Sequence, residues 1–176
     1  MKRAVSIAAA CLAIGACSED GRPPAKKVET PAKTAAPPAA PAATNIRVEA
    51  RDGRMLTQVG TKQPDGQLVS SGRPGILMFG PYARWAPGKY RVTVYGKVIE
   101  GGKEAGWVDV ISAKGAKQLA KVNLNGPAQG SAAGDMGSLT TLDFSLDQAV
   151  EDLEVRAWAN QGARIAITAY EIAPAN

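Results

Sequence analysis

From Asn45 to the C-terminal Asn176, apolar residues recur at every second position, in short runs broken by glycine, proline, asparagine and aspartate. A strand sends successive side chains to opposite faces, so this alternation marks strands with one buried side. Residues 89–100 show it best. Tyr90, Val92, Val94 and Val98 share one face; Arg91, Thr93, Tyr95 and Lys97 share the other. Residues 46–51 alternate up to the hairpin-type turn Asp52-Gly53, and 55–59 continue briefly. Residues 67–70 form a weak strand, and 75–79 an apolar run stopped by Gly80-Pro81. Residues 107–112, 119–124, 142–146, 153–159 and 164–172 follow. Residues 125–137, rich in Gly, Ala and Asn, read as a long loop. Residues 113–120 have the length of a helical turn, but Gly115 argues against one. Eight or nine short strands, 17 glycines and no long helical pattern predict an all-β domain, an antiparallel β-sandwich, over residues 45–176.

The chain before Asn45 has a different character. Met1-Lys2-Arg3 is a short positive stretch, and residues 4–16 are an apolar run of 13, too short for a bilayer span of about 20 helical residues. It closes with Ile14-Gly15-Ala16-Cys17. Small residues followed directly by cysteine resemble the lipobox of bacterial lipoproteins. The resemblance implies a signal peptide over 1–16, lipidation of the Cys17 sulfur, cleavage before it and acylation of the new amine. Several acyl chains on one residue anchor firmly where one alone is marginal. Ser18, not Asp, follows Cys17, and by the sorting habit of such lipoproteins this implies an outer-membrane destination, on the periplasmic side or at the cell surface. Cys11 leaves with the signal and Cys17 is lipidated, so the mature chain is expected to hold no disulfide. Residues 18–44 contain eight alanines and six prolines among 27 residues and no aromatic. Proline at that density breaks helices and favours extended polyproline II segments, so 17–44 read as a lipidated cysteine and tether.

Composition excludes several functions. The chain has no histidine, so no His-based triad, relay or metal site exists. It has no GxSxG elbow and no Gly-rich phosphate loop opening a helix. Asp143, Asp147, Glu151, Asp152 and Glu154 are numerous enough for paired-carboxylate chemistry, but most sit near a strand end, where carboxylates serve solubility. The expectation is a non-enzyme without a cofactor. The domain carries 15 basic and 13 acidic residues, so the overall pI of about 9.3 is no nucleic-acid signal. Charge is polarised along the chain: residues 45–97 hold nine basic and three acidic side chains, residues 135–176 two and seven. Pairing of these segments in a sheet would bring opposite charges across strands.

The order of elements is similar to carbohydrate-binding modules of the galactose-binding-like jelly-roll superfamily. Such modules often open with an "E-A-E" strand; here it is Val48-Glu49-Ala50-Arg51. The strand with "P-x-G-x-Y-x-V" becomes Ala86-Pro87-Gly88-Lys89-Tyr90-Arg91-Val92, without the residue between Pro and Gly. Val108-Asp109-Val110 with Ala113-Lys114-Gly115 resembles the turn-containing pair that follows, and Leu153-Glu154-Val155-Arg156, Gly162, Ile165 and Ile167 resemble the closing "L-x-x-R…G…I-x-I". The stretch from Phe79-Gly80-Pro81-Tyr82 to Val92 also looks like small sandwich domains attached to bacterial glycosyltransferases. The resemblance implies a jelly roll that binds polysaccharide. The family's structural calcium needs paired acidic residues in the opening strand and an Asp near the last. Arg51 and Thr168 stand in these places, so no such calcium site is expected.

Sugar recognition takes an aromatic face for the apolar side of the ring and planar polar groups for its hydroxyls. Trp158 lies on the polar face of its strand beside Glu154, Arg156 and Asn160; Tyr95 lies similarly beside Arg91 and Lys97. Trp107 opens a strand apolar on both sides and reads either way. These are the candidate ligand residues, and the plainer alternative is an amphipathic Trp covering a sandwich edge or the tether. Trp85, Tyr90, Phe79 and Phe144 read as core, Tyr82 as a turn pin, and Arg47, Arg51 and Arg54 as a solvated strand face that can also meet an anionic polymer. Two functions stay open: a non-catalytic envelope lipoprotein binding a bacterial glycan, or a protein-interaction module, as accessory subunit of an envelope secretion or assembly machine or inhibitor of an exported enzyme.

Overall fold

The alternating segments close into two antiparallel sheets, seen in a computed structural model that describes residues 45–101, 104–124 and 136–175. The signal segment 1–16, Cys17 with the tether to residue 44, and residues 125–135 of the expected long loop lie outside the described residues. The strands are β1 (Ile46–Glu49), β2 (Gly60–Lys62), β3 (Leu68–Ser70), β4 (Gly75–Trp85), β5 (Gly88–Glu100), β6 (Gly106–Ser112), β7 (Lys117–Leu124), β8 (Ser138–Leu146), β9 (Val150–Ala159) and β10 (Arg164–Pro174). One sheet has the order β2-β3-β10-β5-β8, with β1 beside β3 along the same edge of β10. The other has the order β4-β9-β6-β7. The chain is an all-β jelly-roll sandwich.

The core lies between the sheets. Val92, Val94, Phe144, Ile165, Ile167 and Tyr170 from the first sheet meet Leu77, Met78, Val108, Val110, Leu153 and Val155 from the second, all at most 5% exposed. Burying each such side chain contributes roughly 1.5–3 kcal/mol, so the alternation itself selects the sandwich. Trp85 is fully buried and meets Tyr90 edge-on at 5.0 Å; Tyr90 stacks on Phe144 at 5.5 Å. These three are core residues, as their positions in the sequence indicate.

Several boundaries differ from the sequence reading, each for a structural reason. β4 does not stop at Gly80-Pro81. It runs on to Trp85 with a cis bond between Gly80 and Pro81 and register shifts against β9, so the turn residues serve an irregular strand. The irregularity turns Phe79 away from the core: it is half-buried on the outside, opposite Arg156. β1 ends at Glu49, because the backbone N–H of Asp52 donates to the Glu49 carbonyl and turns the chain. Residues 55–59 form no strand: Leu56 bridges to Phe79, and the backbone N–H groups of Gln58 and Val59 donate to the Ile76 carbonyl. Residues 113–116 form a turn, and the strand after it begins at Lys117, earlier than the expected residue 119.

The polarised charge is used across strands. Arg91 and Asp143 are direct partners in β5 and β8, joined at 2.7 Å. Arg47 and Glu171 are partners in β1 and β10, 3.7 Å apart, and Arg84 of β4 meets Glu151 of β9 at 3.1 Å. Of the arginine cluster, Arg47 also holds Glu49 and Arg54 holds Asp52, so two of its three cations are neutralised within the fold.

Candidate functional site

Outward residues of adjacent strands fall into rows across the β4-β9-β6-β7 sheet. The first row is Ile76, Trp158, Trp107 and Asn123; the second is Phe79, Arg156, Asp109 and Lys121; the third contains Pro81, Glu154 and Ile111. Alternation along β9 puts Glu154, Arg156 and Trp158 on one side, and pairing with β6 sets Trp107 directly against Trp158. The two indoles are stacked, with centroids 5.7 Å apart and planes 5° from parallel. Gly106 permits this approach. A Cβ there would collide with the Trp158 carbonyl oxygen, so any other residue pushes β6 off β9 where the indoles meet.

Cations flank the stack. The Lys121 ammonium stands 4.5 Å from the centre of the Trp107 ring and the Arg156 guanidinium 5.6 Å from it. Arg156 donates from Nε and Nη2 to the two Asp109 carboxylate oxygens, at 2.9 and 2.7 Å. This bidentate bond, more than any other cause, holds the guanidinium pKa above its usual value. Asp109 is 1% exposed although it faces outward. A carboxylate loses much hydration on burial, so Arg156 must stay in place to compensate it. One row further, Tyr82 is half-exposed, with φ of 57°, meets Phe79 edge-on at 6.3 Å and donates its hydroxyl to Glu154 Oε1 at 3.1 Å. Partial burial raises the Glu154 carboxyl above its ordinary range, with the Tyr82 hydrogen bond opposing it.

The face is closed at one end. The turn 113–116 curls over it, held by Asp152, which accepts from the backbone N–H of Ala113 at 2.9 Å and of Lys114 at 2.5 Å. Ala113 and Lys114 both have φ of 54°, a left-handed conformation costly for non-glycine residues, and the Asp152 bonds offset that cost. Gly115 of this turn lies against outward-facing Ile111, where an added Cβ would stand 3.7 Å from the Ile111 Cδ1, and Ile111 is 2% exposed.

The structure thus brings together three of the sequence candidates, Trp158, Trp107 and Arg156. Two stand elsewhere. Tyr95 belongs to the other sheet, on its outer side, where it donates to Glu171 at 3.3 Å and lies under the Arg47 guanidinium at 4.6 Å. The sandwich core separates it from Trp158, so the two aromatics form no common platform. Asn160 sits past the end of β9 and spends its side chain on the Glu104 carbonyl at 2.7 Å. Sequence reasoning missed Asp109, Lys121 and the Tyr82–Glu154 pair. Asp109 did leave a signal, as the lone charge within Trp107-Val108-Asp109-Val110-Ile111. Among the described residues no group of three Asp, Glu, Cys or His side chains is placed to hold a metal.

Neither a protein-family model nor a curated protein matches this sequence. Solved structures match its fold. The C-terminal CBM6 of LamC, a marine laminarinase from Zobellia galactanivorans, superposes with a TM-score of 0.51 at 14% identity, over 74% of this chain and 99% of that one. The carbohydrate-binding module CBM6cm-2 of Cellvibrio mixtus lichenase 5A, in complex with cellotriose, gives 0.45 at 13% identity over 74% and 98%. At these identities the likeness is one of fold.

Proposed function

We propose that this protein is a non-catalytic glycan-binding lipoprotein of the bacterial envelope, and that the outer face of the β4-β9-β6-β7 sheet holds the polysaccharide. The observation that carries the reading is the Trp158–Trp107 stack on a solvent-facing sheet, beside an Arg156 fixed by a buried carboxylate. Trp158 supplies apolar area for a sugar ring, worth about 25 cal/mol per Å² covered. Trp107, flanked by Trp158 and Lys121, stiffens that surface, and the guanidinium edge that Asp109 leaves free is aimed at hydroxyls. The laminarinase and lichenase modules lend the fold-level precedent, since the fold alone assigns no ligand. Cys17 anchors the protein to the outer membrane through its lipid, and the tether gives the domain reach.

A shallow face loses much of its gain to ordering and polar desolvation, so affinity should be about 10 µM to 1 mM. The test is binding to a panel of envelope polysaccharides, wild type against Trp158→Ala, with folding checked by circular dichroism. Loss of binding in the variant supports the site. No binding by the wild type removes the glycan reading and leaves a protein partner as the competing one. For the anchor, Cys17→Ser should abolish incorporation of labelled fatty acid; undiminished labelling would refute lipidation there.

A further inference from the structure

A sheet edge presents a row of backbone N–H and C=O groups that a further strand can pair with, so folds usually blunt their edges. Among the described residues, five strands have no neighbouring strand on one side: β1, β2, β4, β7 and β8. Four of them are blunted. β1 and β2 have only four and three residues. β4 carries register shifts and Pro81, which has no N–H to offer, and the N–H groups of Leu56, Gln58 and Val59 already bond to its Phe79 and Ile76 carbonyls. β7 carries Lys117 and Lys121, which repel a second strand of the same kind.

β8 has none of these devices. It is nine residues long, Ser138–Leu146, without glycine, proline, lysine or arginine. From Thr140 to Leu146 its ladder with β5 runs without a shift. Beyond that ladder, no backbone group of β8 makes a hydrogen bond among the described residues. Its one charge, Asp143, is held on both oxygens by Arg91 of β5, at 2.7 and 2.8 Å, so it does little to repel an incoming strand. Leu142, Phe144 and Leu146 are buried in the core, and Thr141, Asp143 and Ser145 are exposed.

The strand is also complementary to itself. Turned antiparallel about Leu142, two copies of β8 pair along all nine residues and keep inward positions opposite inward ones. Thr141 then stands opposite Asp143 of the second copy, Thr140 opposite Phe144, and Leu139 opposite Ser145. No like charges meet, and an aromatic residue opposite a β-branched one is a favourable cross-strand pair. We infer that β8 is the interface of a two-fold dimer, in which the six-stranded sheets of two copies join edge to edge. β7 runs close to β8 in the other layer, and its lysines confine the pairing to the six-stranded sheets. The inference goes beyond the glycan reading and uses none of the residues of the Trp158 face.

The experiment is sedimentation equilibrium of the full chain in density-matched detergent, with amide hydrogen exchange at low and high protein concentration. The expected result is a reversible monomer–dimer equilibrium, with exchange slowed at high concentration in residues 138–146. Thr141→Glu sets a carboxylate opposite Asp143 and should weaken association at least tenfold. Thr141→Lys offers Asp143 a cation and should associate at least tenfold more tightly than Thr141→Glu. Thr141 is exposed, so both variants should melt close to the wild-type temperature. Trp158→Ala should leave association unchanged, so the dimer and the glycan reading fail independently. The inference is overturned if the chain stays monomeric up to millimolar concentration, which leaves a strand of another protein as the competing occupant. It is overturned equally if the added protection falls on β7 in place of β8, or if Thr141→Glu and Thr141→Lys associate equally.

Discussion

The two outer faces of the sandwich arise from the same alternation and carry different chemistry. On the six-stranded sheet, outward side chains neutralise one another: Arg91 with Asp143 across strands, Arg47 with Glu49 along β1 and with Glu171 across strands, and Tyr95 lies between Arg47 and Glu171. Its charges are exposed and its aromatic is occupied. On the four-stranded sheet a buried carboxylate, Asp109, orders a guanidinium beside two stacked indoles, and Tyr82, Phe79 and Ile76 extend the apolar strip along β4. Exposed ion pairs contribute little because water already solvates both partners. A buried, bidentate pair must hold its geometry, because its carboxylate has no water to fall back on. The lesson is that outward polarity alone does not separate a face of exposed ion pairs from one ordered around a buried charge. The burial of one charge does.

Variants can break this comparison at several depths. The largest effect belongs to the core both faces share. Trp85→Ala removes a fully buried indole and should cost about 3–5 kcal/mol, read as a lowered midpoint in urea, with both faces lost together. Gly106→Ala comes next. Its Cβ meets backbone, which cannot swing aside, so a cost of about 1–3 kcal/mol is expected, together with loss of the indole stack in near-ultraviolet circular dichroism. Wild-type stability in this variant would show that β6 and β9 need no close approach.

Asp109→Ala should cost a similar or smaller amount, about 1–3 kcal/mol, because it strands a partly buried guanidinium. On the opposite face, Arg91→Ala should barely move the urea midpoint, since both partners are more than half exposed and already solvated. Equal losses in these two variants, measured by urea denaturation at low and high salt, would erase the distinction drawn between the faces.

The smallest effects are in pH. Arg54 holds the Asp52 carboxyl down at about 2, below its ordinary 3.8. Its contribution is therefore full above pH 3.8 and is lost as pH falls toward 2. Glu154 has the opposite sign. Its raised carboxyl pKa favours the protonated form in the fold, so its contribution is present below its ordinary 4.5 and is lost as pH rises through the folded value. Carbon-13 titration of the two carboxyls should place Asp52 below and Glu154 above their ordinary values; the reverse order would contradict the assigned environments.

Much of the fold is legible in the sequence. Val92, Val94, Phe144 and Ile165 are buried as their alternation requires, and Trp85 is core. The failures share one cause. Phe79 reads as core from the parity of residues 75–79, but the irregular pairing of β4 with β9 shifts the parity and turns it outward. Tyr95 and Trp158 read as equivalent outward aromatics, because polar-face position is local information.

By itself the sequence determined which residues can be buried together, and hence a sandwich of short antiparallel strands, because period-two alternation is a property of the chain. It also placed the basic and acidic side chains in distinct stretches, so that pairing of those stretches brings opposite charges together. Only the tertiary structure decided which outward residues became neighbours. Strand order put Trp107 beside Trp158 and Arg156 beside Asp109, and sent Tyr95 to the far side of the core. The Trp107–Trp158 and Asp109–Arg156 contacts join residues 51 and 47 positions apart. Long-range strand pairing sets them, and no local pattern in the chain encodes it.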